Sequence, residues 1–253
     1  MMLWWAGLVL ELVILGRMLR TRTFKTYPVF YFYMASVFAI SGGLYLLYRA
    51  FPNNTALYGR WYWRTQLSTL VIGYGVIMDL SRKALAAYPG AERFVRAMGL
   101  VIFATVFFIV GSHQIVAHSW SLDVLTADLE RYLRVVEALF LATILAVLSY
   151  YRIAIGRNLA GLLLGMGIYV GVSVITLALL QFVGPRFESS WKLLQSGSYL
   201  FALAVWTAAF WSYSPNPPPD TPNVPSSDYQ ALAGHTREKL EALRSHLPGT
   251  AQP

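Results

Sequence analysis

Acidic side chains inside long apolar stretches are the best candidates in this sequence for ligand binding or proton transfer. Glu11 is the clearest of them, because it lies halfway along the apolar stretch near the start of the chain. If that stretch crosses a membrane, a carboxylate there costs about 2.5–3.5 kcal/mol and needs a compensating partner. Gly7, one turn earlier, indicates that this face packs against other helices. Two interpretations stay open for Glu11: a neutral side chain that bonds a neighbouring helix, and a ligand contact or proton acceptor.

Other carboxylates have a basic residue at helical spacing. Arg134 lies three residues before Glu137 and four residues after Glu130, and Lys83 lies four residues after Asp79. Residues three or four apart are neighbours on a helix surface, so such spacings favour ion pairs. We therefore expect a surface ion-pair ladder on the helix that carries Glu137, and an ordinary ion pair for Asp79.

Several chemistries are excluded by residues that the sequence lacks. The chain has no cysteine, which removes disulfides, thiolate metal sites, iron–sulfur clusters and cysteine nucleophiles. Of the four histidines, His113 and His118 are five residues apart and do not share a helix face, so we expect neither a metal site nor a haem. No lysine lies inside an apolar stretch, which excludes a retinal Schiff base. We expect no cofactor, and we favour a non-catalytic protein over an enzyme because no nucleophile–base pair can be assembled.

The elements that must position these residues are apolar helices. Apolar residues make up 57% of the 253 residues and charged residues only 13%, and the mean hydropathy is +0.51. A helix needs about 20 apolar residues to cross the hydrocarbon core of a bilayer. The sequence therefore predicts an all-α membrane protein, a bundle of seven transmembrane helices. The spans are expected at residues 3–19, 28–49, 62–81, 97–117, 133–151, 159–183 and 193–213.

Basic residues predict the orientation of the bundle, with the N-terminus outside and the C-terminus in the cytoplasm. The loop after the first span is rich in arginine, and the loops after the third and fifth spans add further basic residues. We assign the net charge of +8 to contact with the lipid bilayer, whose headgroups are partly anionic, and expect no nucleic acid partner. Because a basic region and a cleavage site are missing, we expect the first stretch to be kept as a span rather than removed as a signal peptide.

The composition changes after the last predicted span. Residues 1–213 are expected to form the transmembrane domain, residues 214–226 a proline-rich linker, and residues 227–248 an amphipathic cytoplasmic helix. A capping box at Ser227 and Gln230 and leucines at helical spacing predict that last helix. We favour its docking on the bundle or on lipid over recognition of a partner protein.

Polar residues of different spans fall at a common depth under this topology. They lie in the outer halves of their helices, and converging helices would place them around an outward-facing polar cavity. The candidate ligand-binding residues are Glu11, Arg64, Gln66, His113, Glu137, Gln195 and Tyr199, with Tyr45, Tyr48 and Gln181 at a similar depth. The cytoplasmic halves of the spans are more apolar.

Glycines in the sixth predicted span indicate close helix packing. Gly161, Gly165, Gly167 and Gly171 form two G-x-x-x-G spacings, and small residues at this spacing let two helix backbones approach. We interpret them as packing within the bundle, with the interface of a homodimer or with another membrane protein as the alternative.

Four short segments carry a resemblance that extends over almost the whole chain. The segments are WYWRTQL at residues 61–67, YPGAERF at 88–94, WKLLQ at 191–195 and SPNPPPD at 214–220. They resemble a group of bacterial seven-helix membrane proteins of uncharacterised function. The resemblance implies the fold and the bacterial inner membrane as the location of a multi-pass protein. It implies no activity and no catalytic residues.

Three functions remain compatible with the sequence. The first is a receptor-like protein that binds or senses a small molecule from the outer side, through the cavity around Glu11. The second is a transporter or carrier of a small solute, which would require the polar lining to continue to the cytoplasmic side. The third is a non-catalytic subunit or scaffold of a larger membrane complex. We favour the first, and an apolar seal beneath Glu11 would count against the second.

Overall fold

A computed structural model describes residues 2–86, 88–116, 122–150, 153–214 and 234–239. The chain divides into two units, residues 1–217 and residues 218–253. In the second unit, residues 234–239 are helical. The rest of the predicted tail helix and all of the predicted linker beyond residue 214 lie outside the described residues.

The described residues of the first unit form seven α-helices and two short 3-10 turns and contain no strand, which confirms the all-α prediction. The α-helices are α1 (Met2–Arg20), α2 (Pro28–Ala50), α3 (Thr55–Ala84), α4 (Pro89–Val116), α5 (Leu122–Tyr150), α6 (Arg157–Val183) and α7 (Glu188–Ala209). The 3-10 turns are Thr23–Lys25 and Gly184–Phe187.

Four helical segments are long and apolar enough to cross a membrane, within the part of the chain that the structure describes. They are Pro28–Ala50, Glu92–Ser112, Val124–Tyr150 and Arg157–Val183. A helix of about 20 residues spans the hydrocarbon, and each of these segments reaches that length. These four segments indicate a membrane protein.

The predicted spans lie on the seven α-helices, and the differences concern the helix ends. The third helix begins at Thr55 rather than at residue 62, because Asn54 caps it: the Asn54 side chain accepts a 2.9 Å hydrogen bond from the backbone N–H of Leu57. A capping side chain satisfies a backbone donor that the first turn of a helix leaves unpaired. Helical structure thus extends beyond the apolar stretch from which the span was predicted.

The C-terminal end of α7 is held by α6 and lies four residues before the predicted end at residue 213. The Asn158 side chain donates to the carbonyl oxygens of Ala209 and Ser212 at 2.6 and 3.1 Å, and it accepts from the backbone N–H of Ser214 at 2.6 Å. Arg157 also donates to the carbonyl oxygen of Ser212, at 3.2 Å. The last carbonyl groups of a helix lack intrahelical partners, and a donor that binds them favours termination at that point.

The helices of the first unit pack in a ring. α1 contacts α2 and α7, α3 contacts α2 and α5, and α6 contacts α5 and α7, which closes the ring. α4 packs against α3 and α5 on the outside, and α3 also contacts α6 across the middle. Consecutive helices are joined by short loops, so their directions along the bundle alternate. The helices α1, α3, α5 and α7 are therefore parallel to one another, and their N-terminal halves share one end of the bundle.

The other end of the bundle, formed by the C-terminal halves of α1, α3, α5 and α7, is an apolar core. Trp206 is fully buried, and its ring packs edge-on against Phe30 with a centroid distance of 5.1 Å. Phe30 also stacks on Phe210, with centroids 5.6 Å apart. Further buried members of this core are Ile14, Met18, Ile77, Leu80, Ile144, Leu148, Leu159 and Leu162.

The first G-x-x-x-G spacing of α6 faces α7. A Cβ atom at Gly165 would overlap the indole of Trp206, and one at Gly161 would overlap Ala209. The interpretation of these two glycines as packing within the bundle is therefore confirmed. Gly167 and Gly171 of the second spacing have open space around the position of an added Cβ.

Candidate functional site

The polar residues of α1 and α7 meet in the end of the bundle opposite the apolar core. Glu11 is 2% exposed, and its Oε1 accepts a 2.8 Å hydrogen bond from the hydroxyl group of Tyr199. Gly7, one turn before Glu11, lies against Leu200 of α7, where an added Cβ would be 3.8 Å from Leu200 Cδ2. Glu11 therefore faces a neighbouring helix and not lipid, as Gly7 indicated.

Tyr169 of α6 continues this contact towards α5. Its ring meets the Tyr199 ring edge-on, with centroids 5.6 Å apart. The guanidinium carbon of Arg134 lies 4.9 Å from the centre of the Tyr169 ring, and Arg134 donates to the Tyr169 hydroxyl group at 3.3 Å. A guanidinium over an aromatic face is attracted by the ring quadrupole. Polar and aromatic contacts thus run without interruption from α1 through α7 and α6 to α5.

The predicted ion-pair ladder on α5 is present, but its inner part is not at the surface. Arg134 Nη1 lies 3.0 Å from Glu137 Oε2, and Arg134 Nη2 lies 3.7 Å from Glu130 Oε1. Glu137 is 0% exposed and Arg134 is 7% exposed, so the expectation of a surface ladder is wrong for these two residues. Their face of α5 is turned towards α6, which buries them. Asp79, by contrast, forms the expected ion pair with Lys83.

A cavity of about 270 Å³ opens beside this polar chain, between α3, α5, α6 and α7. Its lining includes Tyr62, Gln66, Glu130, Tyr169, Trp191, Gln195 and Tyr199. Four of these seven side chains are aromatic and three are amide or carboxylate groups. Aromatic walls with a few polar groups are typical of small-molecule sites.

Two amide side chains are fixed in the cavity wall by hydrogen bonds. Gln195 donates to the hydroxyl group of Ser173 at 2.8 Å and accepts from Thr176 at 3.4 Å. Gln66 donates to both carboxylate oxygens of Glu130 at 3.4 Å, which joins α3 to α5 at the cavity. Side chains that are held in this way present a fixed arrangement of donors and acceptors.

Several buried polar atoms near the cavity have no hydrogen-bond partner among the described residues. They are Oε2 of Glu11, Oε1 of Glu137, Nε of Arg134 and Nε1 of Trp191. Buried polar atoms in proteins are nearly always satisfied, by protein, water or ligand. Their concentration in this end of the bundle marks it as a place where a polar molecule would gain hydrogen bonds.

Five of the seven predicted ligand-binding residues come together here. Gln66, Gln195 and Tyr199 line the cavity. Glu11 lies behind the wall, where it is bonded to Tyr199, and Glu137 lies behind it as the partner of Arg134 on α5.

The other two predicted residues are not in the cavity wall as described. Arg64 is exposed, and its guanidinium carbon lies 5.9 Å from the centre of the Trp61 ring. One helix cannot direct residues 64 and 66 to the same face, because they are about 200° apart around the axis. His113 belongs to α4, and its side chain lies outside the described residues.

The residues expected at a similar depth take other positions. Tyr45 packs against Trp4, with ring centroids 4.9 Å apart. Tyr48 is exposed and packs edge-on against Tyr58 at 6.4 Å. Gln181 is exposed and accepts a hydrogen bond from Arg131.

Six lining residues were missed as candidates from the sequence: Tyr62, Glu130, Tyr169, Leu177, Trp191 and Ser196. Glu130 was expected to be a partner in an exposed ladder, and tryptophans near the ends of apolar stretches, such as Trp191, are typical of the membrane interface. Tyr169 lies between Gly165 and Gly171 on a helix that is apolar on all sides, so no periodicity indicated its direction. Counting depth did not select Tyr169 or Trp191 either, because residue 169 falls in the cytoplasmic half of the predicted sixth span and residue 191 lies before the predicted seventh span.

No group of three or more acidic or histidine side chains that could hold a metal ion occurs among the residues whose placement is described. Comparison of the chain with protein-family models, with curated proteins and with solved structures found no match in any of the three. The function must therefore be argued from the geometry of the site.

Proposed function

We propose that this chain is a multi-pass protein of the bacterial inner membrane, with seven spans and an outside N-terminus, that binds a small molecule in the cavity between α3, α5, α6 and α7. The observation that carries the proposal is the continuous chain of polar and aromatic contacts from Glu11 to Glu130, which ends at a cavity. The proposal makes the protein receptor-like, because the bound molecule would contact helices from both sides of the ring.

The cost of this arrangement supports a binding role over a purely structural one. Replacing a buried ion pair by apolar residues of similar volume is often neutral or stabilising, so the Arg134–Glu137 pair is poorly explained by stability alone. Burial of unpartnered polar atoms such as Glu11 Oε2 adds to the cost. Binding of a ligand in the cavity would explain why polar residues lie at this depth.

The apolar end of the bundle argues against the transporter alternative. Beyond Glu11 the core is mostly apolar and close-packed, with Phe30, Trp206 and Phe210 at the centre. The buried polar side chains of Ser81 and Asn158 at this end are bonded to backbone carbonyl groups. A solute path would require these rings to separate. The proposed movement is smaller than the separation of these rings. Ligand contact at Tyr199 would alter its hydrogen bond to Glu11 and the packing of α7 on α1. The ligand need only bind the two arrangements of α7 on α1 with different affinity.

Native mass spectrometry of the full chain, extracted gently from its own membrane, tests the binding proposal. We expect a small-molecule adduct in the unaltered protein that is lost or much reduced in Gln195→Leu, because Gln195 lines the cavity. The matched control is Gln181→Leu, which removes the same group from an exposed position on α6 and should keep the adduct. A bare protein, or one that carries only other polypeptides, would instead favour the subunit or scaffold function.

A further inference from the structure

The balance of charge at the cavity leaves one carboxylate in excess. Arg134 is closer to Glu137, at 3.0 Å, than to Glu130, at 3.7 Å, so the guanidinium charge is matched first by the fully buried Glu137. Glu130 then lines the cavity with no cation of its own. Its other contact, Gln66, is a neutral amide at 3.4 Å.

No other described cation replaces Arg134 in this role. The guanidinium of Arg64 lies over the Trp61 ring, and Arg131 is bonded to Gln181. Neither arginine lines the cavity. The carboxyl group of Glu11, behind Tyr199, adds no positive charge to the site. The electrostatic potential in the cavity therefore favours a positively charged ligand.

The aromatic lining favours the same kind of guest. Tyr62, Tyr169, Trp191 and Tyr199 all contribute to the wall, and the faces of aromatic rings attract cations. Arg134 already occupies such a position over Tyr169, which shows that this cluster accommodates a cation against a ring. Several rings with an adjacent carboxylate are the arrangement that binds ammonium groups in aromatic cages.

The size of the cavity and one hydrogen-bond donor without a partner restrict the kind of ligand that fits. A volume of about 270 Å³ is slightly below the range of about 300–1,000 Å³ that drug-sized ligands occupy, so the guest is small. Nε1 of Trp191 is a buried donor without a partner among the described residues. An indole N–H can only donate, and a guest with a hydroxyl or carbonyl oxygen near its cationic group would satisfy it.

Taking the proposed binding function as given, we infer that the ligand is a small organic cation. It carries an ammonium or quaternary ammonium group, which Glu130 and the aromatic rings hold, and a hydrogen-bond acceptor, which faces Trp191. The ion pair between Arg134 and Glu137 positions the cavity wall but does not contact the ligand.

Calorimetric titration of the full chain in maltoside detergent tests this inference, with choline as the cationic probe and 3,3-dimethylbutan-1-ol as its uncharged isostere. Phosphocholine lipids and detergents are left out because their headgroups would compete. We expect choline to bind and the alcohol to bind at least about tenfold more weakly, because the attraction to Glu130 and to the aromatic ring faces requires the positive charge.

Two variants assign the binding to named groups. Glu130→Gln should weaken choline binding by about tenfold, whereas Asp128→Asn, which removes a carboxylate two residues away and outside the cavity lining, should leave it unchanged. Trp191→Phe keeps a ring but removes the N–H, so it should weaken binding of choline more than binding of tetramethylammonium, which has no acceptor. Thermal unfolding of each variant in the same detergent shows that the fold is retained.

The outcomes separate this inference from the binding function on which it rests. Equal affinity for choline and the uncharged alcohol, or no binding of either cation, would overturn the cationic class of ligand. If native mass spectrometry still shows an uncharged or anionic adduct that depends on Gln195, the binding function survives and only the ligand class is wrong. If the protein is bare in both experiments, both proposals fail.

Discussion

The hydroxyl group of Tyr199 donates a hydrogen bond of 2.8 Å to Oε1 of Glu11 and so joins the middle of α7 to the middle of α1. Glu11 is buried, and Tyr199 also lines the cavity. The contact therefore has two functions: it compensates a carboxyl group inside the bundle, and it links the cavity to the first helix.

Substitution of Tyr199 by phenylalanine should destabilise the bundle by about 0.5–2 kcal/mol, because it leaves both carboxyl oxygens of Glu11 without a partner among the described residues. The free energy of unfolding in mixed micelles, followed by circular dichroism, measures the change. Tyr48→Phe is the control, since Tyr48 is exposed and keeps its ring contact with Tyr58. Equal effects of the two substitutions would mean that the bond to Glu11 contributes no stability.

Removal of the Arg134 guanidinium should have a larger effect. Arg134→Met leaves the carboxylate of Glu137 buried and unpaired, which costs about 3–5 kcal/mol. The double variant with Glu137→Gln should recover most of that loss, because the buried charge is then gone. Arg131→Met, on the exposed side of α5, should change stability little. A double variant no more stable than Arg134→Met would show that charge burial is not the cause.

The packing of α6 on α7 predicts a difference between two glycines of the same helix. Gly165→Ala introduces a Cβ that overlaps Trp206, a fully buried residue, and should destabilise the protein by about 1–3 kcal/mol. Gly167→Ala meets open space and should be neutral or slightly stabilising, since alanine favours the helix. Unfolding of the two variants in the same micelles decides between them, and a neutral Gly165→Ala would contradict the close approach of the two helices.

The proposed seven-span topology can be tested with single cysteines, because the chain has none of its own. Asn53→Cys lies in the loop between α2 and α3, and Thr26→Cys lies in the loop between α1 and α2. Both positions are exposed. In intact cells whose inner membrane is sealed, a membrane-impermeant maleimide should label Asn53→Cys and should label Thr26→Cys only after permeabilisation. The reverse pattern would place the N-terminus in the cytoplasm.

The class of the protein was within reach of the sequence, and so was the approximate position of each helix. Apolar stretches long enough to cross a bilayer specify helices by themselves, since backbone polar groups in lipid must be satisfied within the helix. Glu11 and Gly7 also indicated correctly that one face of α1 is turned to other helices. The helix ends were less predictable: α7 stops at Ala209, where Asn158 of α6 binds its last carbonyl group.

The members of the cavity wall were decided by tertiary structure. Depth along each helix follows from counting residues, and three residues chosen in this way, Gln66, Gln195 and Tyr199, line the cavity. The direction of a side chain around its helix axis depends on which neighbours pack against the helix. In α3 the face that carries Tyr62 lines the cavity, and the face that carries Arg64 does not. A helix such as α6, apolar on every side, carries no pattern from which its rotation can be read.

The sequence by itself determined that the chain forms apolar helices and that polar residues lie within them, because both follow from composition and from the length of a bilayer-spanning helix. Only the tertiary structure decided that Arg134 and Glu137 are buried partners and not a surface ladder, and that four aromatic residues line one cavity together with Glu130. The reason is that the ladder depends on neighbours three or four residues apart, whereas burial and the cavity depend on contacts between different helices, such as Arg134 with Tyr169 and Gln66 with Glu130, which are 35 and 64 residues apart in the chain.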